Sequence, residues 1–343
     1  MSVIIGNIED TLPQFLSNKS YSAIMVLVDQ HTQKHCYPAI KALLPKEHKL
    51  IKIKAGEKHK TLETCTQIWQ SMTDANLDRH ALMINLGGGV IGDMGGFCAS
   101  TYKRGIDFIQ LPTTLLSQVD ASVGGKLGID FKGFKNHIGV FNLPKTVLIE
   151  PAFLKTLPYS ERRSGYAEII KHCLIQDGAK WEEIRKLDFE EVPFAELIAH
   201  SVAIKEKVVA EDPTEKGLRK ILNFGHTLGH AVETYFLDIP KKRLLHGEAI
   251  AVGMIAEAYM SYQRDLISEE LLQQIEAYIF SIYGSVHIKE SDLKHILKHT
   301  LQDKKNKGKE VRFSLLDGVG SCTYDIVCSE KEMKAALKYY MGK

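Results

Sequence analysis

Residues 80–97 read HALMINLGGGVIGDMGGF. HALMINL (80–86) is a largely apolar run of strand length, and three glycines follow it at once. Such a run predicts a strand buried on both faces, as in a parallel sheet covered by helices. Gly87, Gly89 and Gly92 then satisfy G-x-G-x-x-G between that strand and a helical pattern. Glycines there permit a tight turn and let backbone N–H groups approach a pyrophosphate at a helix N-terminus. A glycine-rich turn that binds nothing has the same appearance. Two features are off the pattern: the motif follows the third strand-like run rather than the first, and Asp93 puts negative charge where phosphates would lie.

Working outward, YSAIMVLVD (21–29) and HKLIKIKAG (48–56) are further strand-like runs. Asp29 closes the first, at the position that suits a ribose hydroxyl in nucleotide-binding α/β folds; a helix-capping aspartate is the alternative. A helix carrying Ile68 and Trp69 on its apolar face follows the second run. Phe108 to Leu111 forms a short strand stopped by Pro112, with the hydroxyls of Thr113 and Thr114 at its end. Asp120 and Lys126 flank a Gly124-Gly125 turn, and Lys132, Lys135 and Asn136 fall in a glycine-punctuated loop. Cations, glycine turns and hydroxyls in that order point to an anion site; solvated surface lysines are the alternative. VLIEP (147–151) is the last strand of this half.

From Phe153 the texture changes. Helical periods dominate, and strand-like sequence returns only at RFSLL (312–316). This predicts an α/β domain over 1–157 and a mostly α-helical domain over 158–343. A chain of 343 residues is long enough for two domains. A net charge of +2 gives no electrostatic case for nucleic acid or a membrane surface. No apolar run is long enough to span a bilayer, and MSVIIGNIEDTLPQF is acidic and lacks the core of a signal peptide. Cys36, Cys65, Cys98, Cys173, Cys322 and Cys328 are scattered without a CxxC pair, which argues against a disulfide framework or a cysteine-type zinc site. A cytoplasmic protein is the expectation.

The second half is organised around LRKILNFGHTLGHAVETYFLDIPKKRLLHGEAIAVGM (218–254). His226 and His230 are four apart, so a helix stacks them on one face, where two imidazoles can chelate a divalent metal. Thr227 follows the first, so the glutamate of HExxH is missing. A core helix with hydrogen-bonded histidines is the alternative. Arg219 and Asn223 extend the pattern one turn upstream, giving a polar stripe on an otherwise apolar helix. Burying such a stripe is unfavourable without partners. His246 opens a further helix in HGEAIAVGM (246–254). Glu168 and Lys171, in GYAEIIKHCLI (165–175), point to similar faces as an exposed ion pair or as a carboxylate ligand beside a buried cation. Lys205 lies on the helix SVAIKEKVVAED (201–212). Lys304, Lys305 and Lys307 form a basic, mostly solvated loop.

LGGGVIGDMGGF, RGIDFIQLPTTLLSQVDASVGGKLGID, KNHIGVF, FLKTLP, YAEIIKH, LNFGHTLGHAVE and LHGEAIAVGM together resemble the 3-dehydroquinate synthase family, in order over most of 50–255. The resemblance implies an N-terminal Rossmann-like parallel-sheet domain followed by a mostly α-helical C-terminal domain, with the site in the cleft. It implies NAD held by Asp29, Glu57, Lys60, Gly89, Val90, Ile91, Gly92, Asp93, Thr113, Thr114 and Asp120, with Phe153, Leu154, Lys155 and Thr156 along the cofactor. It implies a divalent metal, zinc or cobalt, on Glu168, His226 and His246. Lys126, Lys135, Asn136, Lys171, Lys205, Arg219 and Asn223 surround an anionic sugar-phosphate substrate, Lys126 and Lys135 also adjoining the cofactor. Arg104 reaches the substrate phosphate from a second subunit of a homodimer, and His230 is left for proton transfer. The implied reaction turns 3-deoxy-D-arabino-heptulosonate 7-phosphate into 3-dehydroquinate. Other sugar-phosphate cyclases of the family, or an NAD- and metal-dependent polyol dehydrogenase, are the competing readings. One departure is the spacer ETYFLDIPKKRLL (233–245), longer than the family pattern.

Overall fold

The computed structural model describes residues 2–132, 134–237, 239, 242–300 and 310–343. The Lys304–Lys307 loop lies outside them. The chain divides into two compact units, 1–162 with 194–202, and 163–193 with 203–343.

The first unit is built on a six-stranded sheet. Its strands are β1 (Ser2–Ile5), β2 (Ile24–Asp29), β3 (Lys49–Ile53), β4 (Leu82–Gly87), β5 (Asp107–Pro112) and, after the hairpin β6 (Lys126–Phe131) and β7 (Phe134–Phe141), β8 (Thr146–Ile149). Their order is β1-β8-β5-β4-β2-β3, and every pairing in the sheet is parallel. The apolar runs are continuous because both faces are covered. Met25 and Leu27 of β2 face one core with Met83, Ile91 and Met94; Ile24, Val26 and Val28 face another with Leu82, Ile84 and Leu12. β1 escapes a sequence reading because it is four residues long and lies ahead of any turn signal. The glycine-rich motif therefore follows the fourth strand.

The glycines of the helix Gly89–Thr101 set how closely it lies on the sheet. A Cβ on Gly95 would sit 1.9 Å from Asn85 Oδ1, and one on Gly96 would sit 2.6 Å from a Leu127 methyl. The loop expected around Lys132, Lys135 and Asn136 is instead the β6–β7 hairpin. Gly128 and Gly139 face each other across it, and a Cβ on Gly139 would meet Leu127 O at 2.2 Å. Glycines that read as turn signals here allow two strands to approach.

The second unit is mostly helical, with one antiparallel pair, β9 (Val311–Leu316) and β10 (Cys322–Cys328). β10 carries a register shift between Thr323 and Ile326, which hides its alternation in the sequence. Three helices matter most for the site: Tyr159–Gln176, His226–Leu237 and His246–Tyr262. The single helix expected through Arg219, Asn223, His226 and His230 is a correction. Leu218–Asn223 is a separate 3-10 turn, Phe224 is not helical (ψ 132), and Gly225 has φ 76 before the α-helix begins at His226. The positive φ at Gly225 breaks the stripe. Where the His226 and His246 helices cross, backbone nearly meets backbone. A Cβ on Gly253 would lie 1.9 Å from Gly225 O and 2.7 Å from Gly229 N. Gly247 is as tightly held, its N–H donating to Ser164 Oγ at 2.9 Å. Among the described residues no helix is long and apolar enough to cross a membrane.

Candidate functional site

Two clusters of polar groups stand out, one in each unit. In the first unit, β2, β4 and β5 end together at Asp29, Gly87 and Pro112. β3 lies on one side of β2 and β4 on the other, so the chain changes direction between the strands bearing Asp29 and the glycine turn. Ligands of open α/β sheets bind at this switch point. A shallow depression opens there, lined by Gly87, Gly88, Gly89, Gly92, Asp93, Gln110, Pro112, Ser117, Ala121 and Ser122. Gly88 caps the helix without a side chain, leaving its first N–H groups accessible. Asp29 also acts as a cap, its Oδ1 accepting from His31 N and Thr32 N at 2.8 Å. Thr113 N donates to Gly87 O at 3.1 Å, and Thr114 Oγ1 bonds Ser117 Oγ at 2.9 Å. Asp120 lies in the π-turn Ser117–Ala121, a wide turn often found at functional sites.

Asp93, off-pattern in the sequence, is explained by Lys60. The Lys60 ammonium lies 2.5 Å from Asp93 Oδ2 and 2.5 Å from Asn136 Oδ1. Burial pulls the Lys60 pKa down, but Asp93 and Glu57 outweigh it and hold the group above its ordinary value. The carboxylate is thus turned to a buried cation. Lys126 is exposed at the start of β6, and Lys135 is half-buried on β7. Val90 is half-buried, and Ile91 packs beneath the turn, where a Cβ on Gly87 would meet its methyl at 2.4 Å. Phe153 and Leu154 are buried in the turn Pro151–Thr156, Phe153 in the sheet's core, while Lys155 and Thr156 are exposed. Arg104 is exposed at a turn where Lys103 and Arg104 both have positive φ (49 and 68).

In the second unit the centre is Glu168, fully buried on the Tyr159–Gln176 helix. Its Oε2 contacts the Lys171 ammonium, itself 1% exposed. Its Oε1 lies 3.3 Å from His226 Nε2 and 3.5 Å from His246 Nε2. Burial pushes the Glu168 pKa up, yet Lys171 and His226 overcome it and hold the carboxyl well below its usual range. His226 is held below its ordinary value by burial and by Lys171. Its Nδ1 lies 3.0 Å from Phe224 O. A carbonyl only accepts, so Nδ1 carries the proton, and the neutral ring turns its Nε2 lone pair to the carboxylate. His246 Nδ1 faces Glu233 Oε2 at 3.4 Å, which turns Nε2 toward Glu168. Burial lowers the His246 pKa, but hydrogen bonds to Glu168 and Glu233 raise it to about 9.

The Glu168 oxygen facing the His226 lone pair is repulsive unless a cation lies between them. Ligand atoms around a tetrahedral zinc with bonds of ~2.0–2.1 Å lie ~3.3 Å apart, and these donors have that spacing. The residues fit a divalent metal. His230 belongs to the same cluster: its ring centroid is 5.0 Å from that of His226 and 5.7 Å from that of His246. Each of the three histidines offers a nitrogen within 4.8 Å of the others. Lys205 and Arg219 are buried, Arg219 Nη1 donating to Pro213 O at 2.7 Å. Asp212 accepts from the backbone N–H groups of Lys216, Gly217 and Arg219 and shapes the turn that carries Arg219. Asn223 Nδ2 donates to Glu215 Oε1 at 2.8 Å.

Sequence reasoning missed Glu233 and Glu257. Glu233 lies seven residues after His226, a spacing that shares its face, so it was findable. Glu257 holds Gly225 N and Leu228 N from another helix, and no local spacing signals that.

A family profile described as 3-dehydroquinate synthase N-terminal matches residues 50–164, and one described as 3-dehydroquinate synthase C-terminal matches 165–306. The 3-dehydroquinate synthase of Parabacteroides distasonis is 38% identical over 98% of this chain and 97% of its own. That of a Sulfurovum species is 42% identical over 85% of this chain and 83% of its own. Among solved structures, the 2-epi-5-epi-valiolone synthase of Streptomyces hygroscopicus, with NAD+ and Zn2+ bound, has a TM-score of 0.86 at 25% identity, covering 99% of this chain and 96% of that one. A 2-deoxy-scyllo-inosose synthase, complexed with carbaglucose-6-phosphate, NAD+ and Co2+, has a TM-score of 0.86 at 23% identity, covering 98% and 96%.

Proposed function

The chain belongs to the 3-dehydroquinate synthase family, and from that premise we propose that it converts 3-deoxy-D-arabino-heptulosonate 7-phosphate into 3-dehydroquinate and phosphate. In this reading it is a cytoplasmic carbon–oxygen lyase of the shikimate route to aromatic amino acids, acting as a homodimer. Residues 1–157 serve NAD, and 158–343 serve the metal and substrate. The course is transient oxidation of a ring alcohol, phosphate elimination, re-reduction and intramolecular aldol closure. NAD and zinc or cobalt supply a reversible hydride acceptor and a Lewis acid that eases alkoxide character on the reacting hydroxyl.

The chain's own residues do the rest. The Gly88–Gly89 turn offers backbone N–H groups to a pyrophosphate, with Asp29, Glu57 and Lys60 nearby for the cofactor. Glu168, His226 and His246 hold the metal. Lys126, Lys135, Asn136, Lys171, Lys205 and Arg219 fix the substrate's carboxylate and phosphate, and orientation of this kind contributes much of a rate enhancement. Asn223 orients a ring hydroxyl, and His230 holds or passes a proton at its imidazole nitrogen. Arg104 reaches the phosphate from the partner subunit.

The observation that carries this reading is the Glu168 oxygen faced by two imidazole nitrogens, in a chain 38% and 42% identical to two proteins named 3-dehydroquinate synthase. The test is to incubate purified protein with the heptulosonate phosphate, catalytic NAD+ and Zn2+. Release of phosphate and dehydroquinate without lasting NADH supports it; stoichiometric NADH, or no phosphate, overturns it. The structural likeness to inosose and valiolone synthases makes another sugar-phosphate cyclase the second reading, tested by offering the same protein glucose 6-phosphate or sedoheptulose 7-phosphate. Stoichiometric NADH instead favours a polyol dehydrogenase.

A further inference from the structure

Glu257 is fully buried on the His246–Tyr262 helix and takes no part in the roles assigned above. It lies one turn after Gly253, the residue at which this helix touches the backbone of Gly225 and Gly229. That closeness carries the Glu257 carboxylate to the start of the His226 helix. Oε2 accepts from Gly225 N at 2.6 Å, and Oε1 accepts from Leu228 N at 2.9 Å. Two of the helix's otherwise unpartnered N–H groups are thus satisfied by one side chain from another helix.

The Gly225 N–H belongs to the peptide unit whose carbonyl is Phe224 O. That carbonyl accepts from His226 Nδ1 at 3.0 Å. A single peptide plane therefore links Glu257 to the imidazole: the carboxylate takes its N–H, and its C=O takes the ring proton. A carboxylate on the N–H side makes the carbonyl a better acceptor, since hydrogen bonds in a chain polarise one another. We propose that Glu257 is a positioning residue that acts through the Phe224–Gly225 peptide to fix the orientation and Nδ1-protonated tautomer of His226, and thereby the lone pair offered to a divalent metal. The metal half of this proposal rests on the reading of Glu168, His226 and His246 as ligands; the tautomer half does not.

The test uses the full-length protein and Glu257→Gln, which keeps the shape but sets an NH2 against one of the two backbone donors. Two quantities are read. Affinity for Co2+ is measured by chelator competition together with the cobalt absorption bands, and the His226 tautomer of the metal-free protein is read from 15N shifts of the ring nitrogens. We expect Co2+ affinity to fall about 10–100-fold, as when partners of metal-bound histidines are removed, with shifted cobalt bands and a larger Nε2-protonated fraction. A merely structural role would lower the unfolding temperature and leave both quantities unchanged in the folded protein, which would overturn the proposal. If Glu257→Gln does not fold, Glu257→Asp, which withdraws both oxygens by one methylene, is read in the same way. Wild-type protein that binds no Co2+ while its tautomer still responds would refute the ligand reading and leave the positioning role standing.

Discussion

Glu168 Oε1 faces His226 Nε2 across 3.3 Å, and the ring proton that could join them sits on the other nitrogen, Nδ1, which donates to Phe224 O. His246 Nε2 approaches the same oxygen at 3.5 Å. His230 lies in the same cluster, its ring centroid 5.0 Å from that of His226 and 5.7 Å from that of His246. His226→Ala and His246→Ala should each weaken Co2+ binding by more than about 100-fold. His230→Ala should change it by less than about threefold while lowering turnover. Equilibrium dialysis of the three variants against Co2+ decides. Strong loss in His230→Ala with retention in His246→Ala would put His230 in the place of His246, and strong loss in all three would make the histidine triplet the ligand set.

The crossing of the His226 and His246 helices leaves no room for a methyl group. A Cβ at Gly253 would stand 1.9 Å from Gly225 O, and the clash is with backbone, which cannot rotate away. Gly253→Ala should lose about 3 kcal/mol of stability, at the upper end for overpacking, and should lose metal binding with it. At Gly89 the nearest atom to an added Cβ is Ala121 Cβ at 3.6 Å, an ordinary contact. Gly89→Ala should therefore fold normally and lose NAD affinity selectively. Thermal unfolding and NAD titration on the pair separate packing from binding.

These contrasts show what was legible in the sequence. β2, β4 and β5 could be read because they are buried on both faces, so each is a nearly unbroken apolar run. The hairpin Lys126–Phe141 could not, since its facing glycines look the same in sequence whether they turn a chain or admit a neighbouring strand. Glu168 and His226 were findable as residue types near a helical stripe, although the stripe itself is broken at Gly225. Glu257 was not findable. Its partners lie 29 and 32 positions away, on a helix that it meets only because of Gly253.

Asp212 ties the turn before Arg219 through three backbone N–H groups. Burial nudges its pKa up, but those hydrogen bonds outweigh it and hold the carboxyl below its ordinary value. With the folded pKa below an unfolded value of about 3.9, the stabilisation is fully present above that value and is lost as pH falls through the folded pKa. The difference in urea midpoint between wild type and Asp212→Ala should be constant from neutral pH to about 5 and shrink in more acid solution. A difference that grows on acidification would refute this. At neutral pH the variant should also show a raised KM, because the turn that carries Arg219 loosens.

Lys60 is the cation paired with Asp93, which lines the depression at the glycine-rich turn. Lys60→Met keeps much of the volume and removes the charge, leaving a carboxylate that is 16% exposed without its ion-pair partner. The stability loss should be about 2 kcal/mol, below the range for a fully buried pair. NAD affinity should fall by more than about tenfold, because the negative charge beside the place meant for phosphate is then no longer neutralised. The variant Lys60→Met/Asp93→Asn should recover much of the stability. If NAD binding is unchanged in Lys60→Met, Asp93 does not govern the turn.

Arg104 is exposed at a turn where it and Lys103 both adopt positive φ, ahead of Gly105 at φ 111. Two consecutive non-glycine residues in that region are strained by roughly 1–2 kcal/mol each, a cost that persists where the side chain's direction matters. If Arg104 serves the partner's site, Arg104→Ala and His226→Ala are each inactive alone but complement each other when mixed. In the mixed dimer one site has its own His226 and receives the intact Arg104 of its neighbour. Random reassembly of equal amounts should then restore about one quarter of the wild-type activity per subunit, since half the dimers are mixed and each has one complete site. An arginine acting within its own subunit gives no recovery, because neither chain then holds both groups.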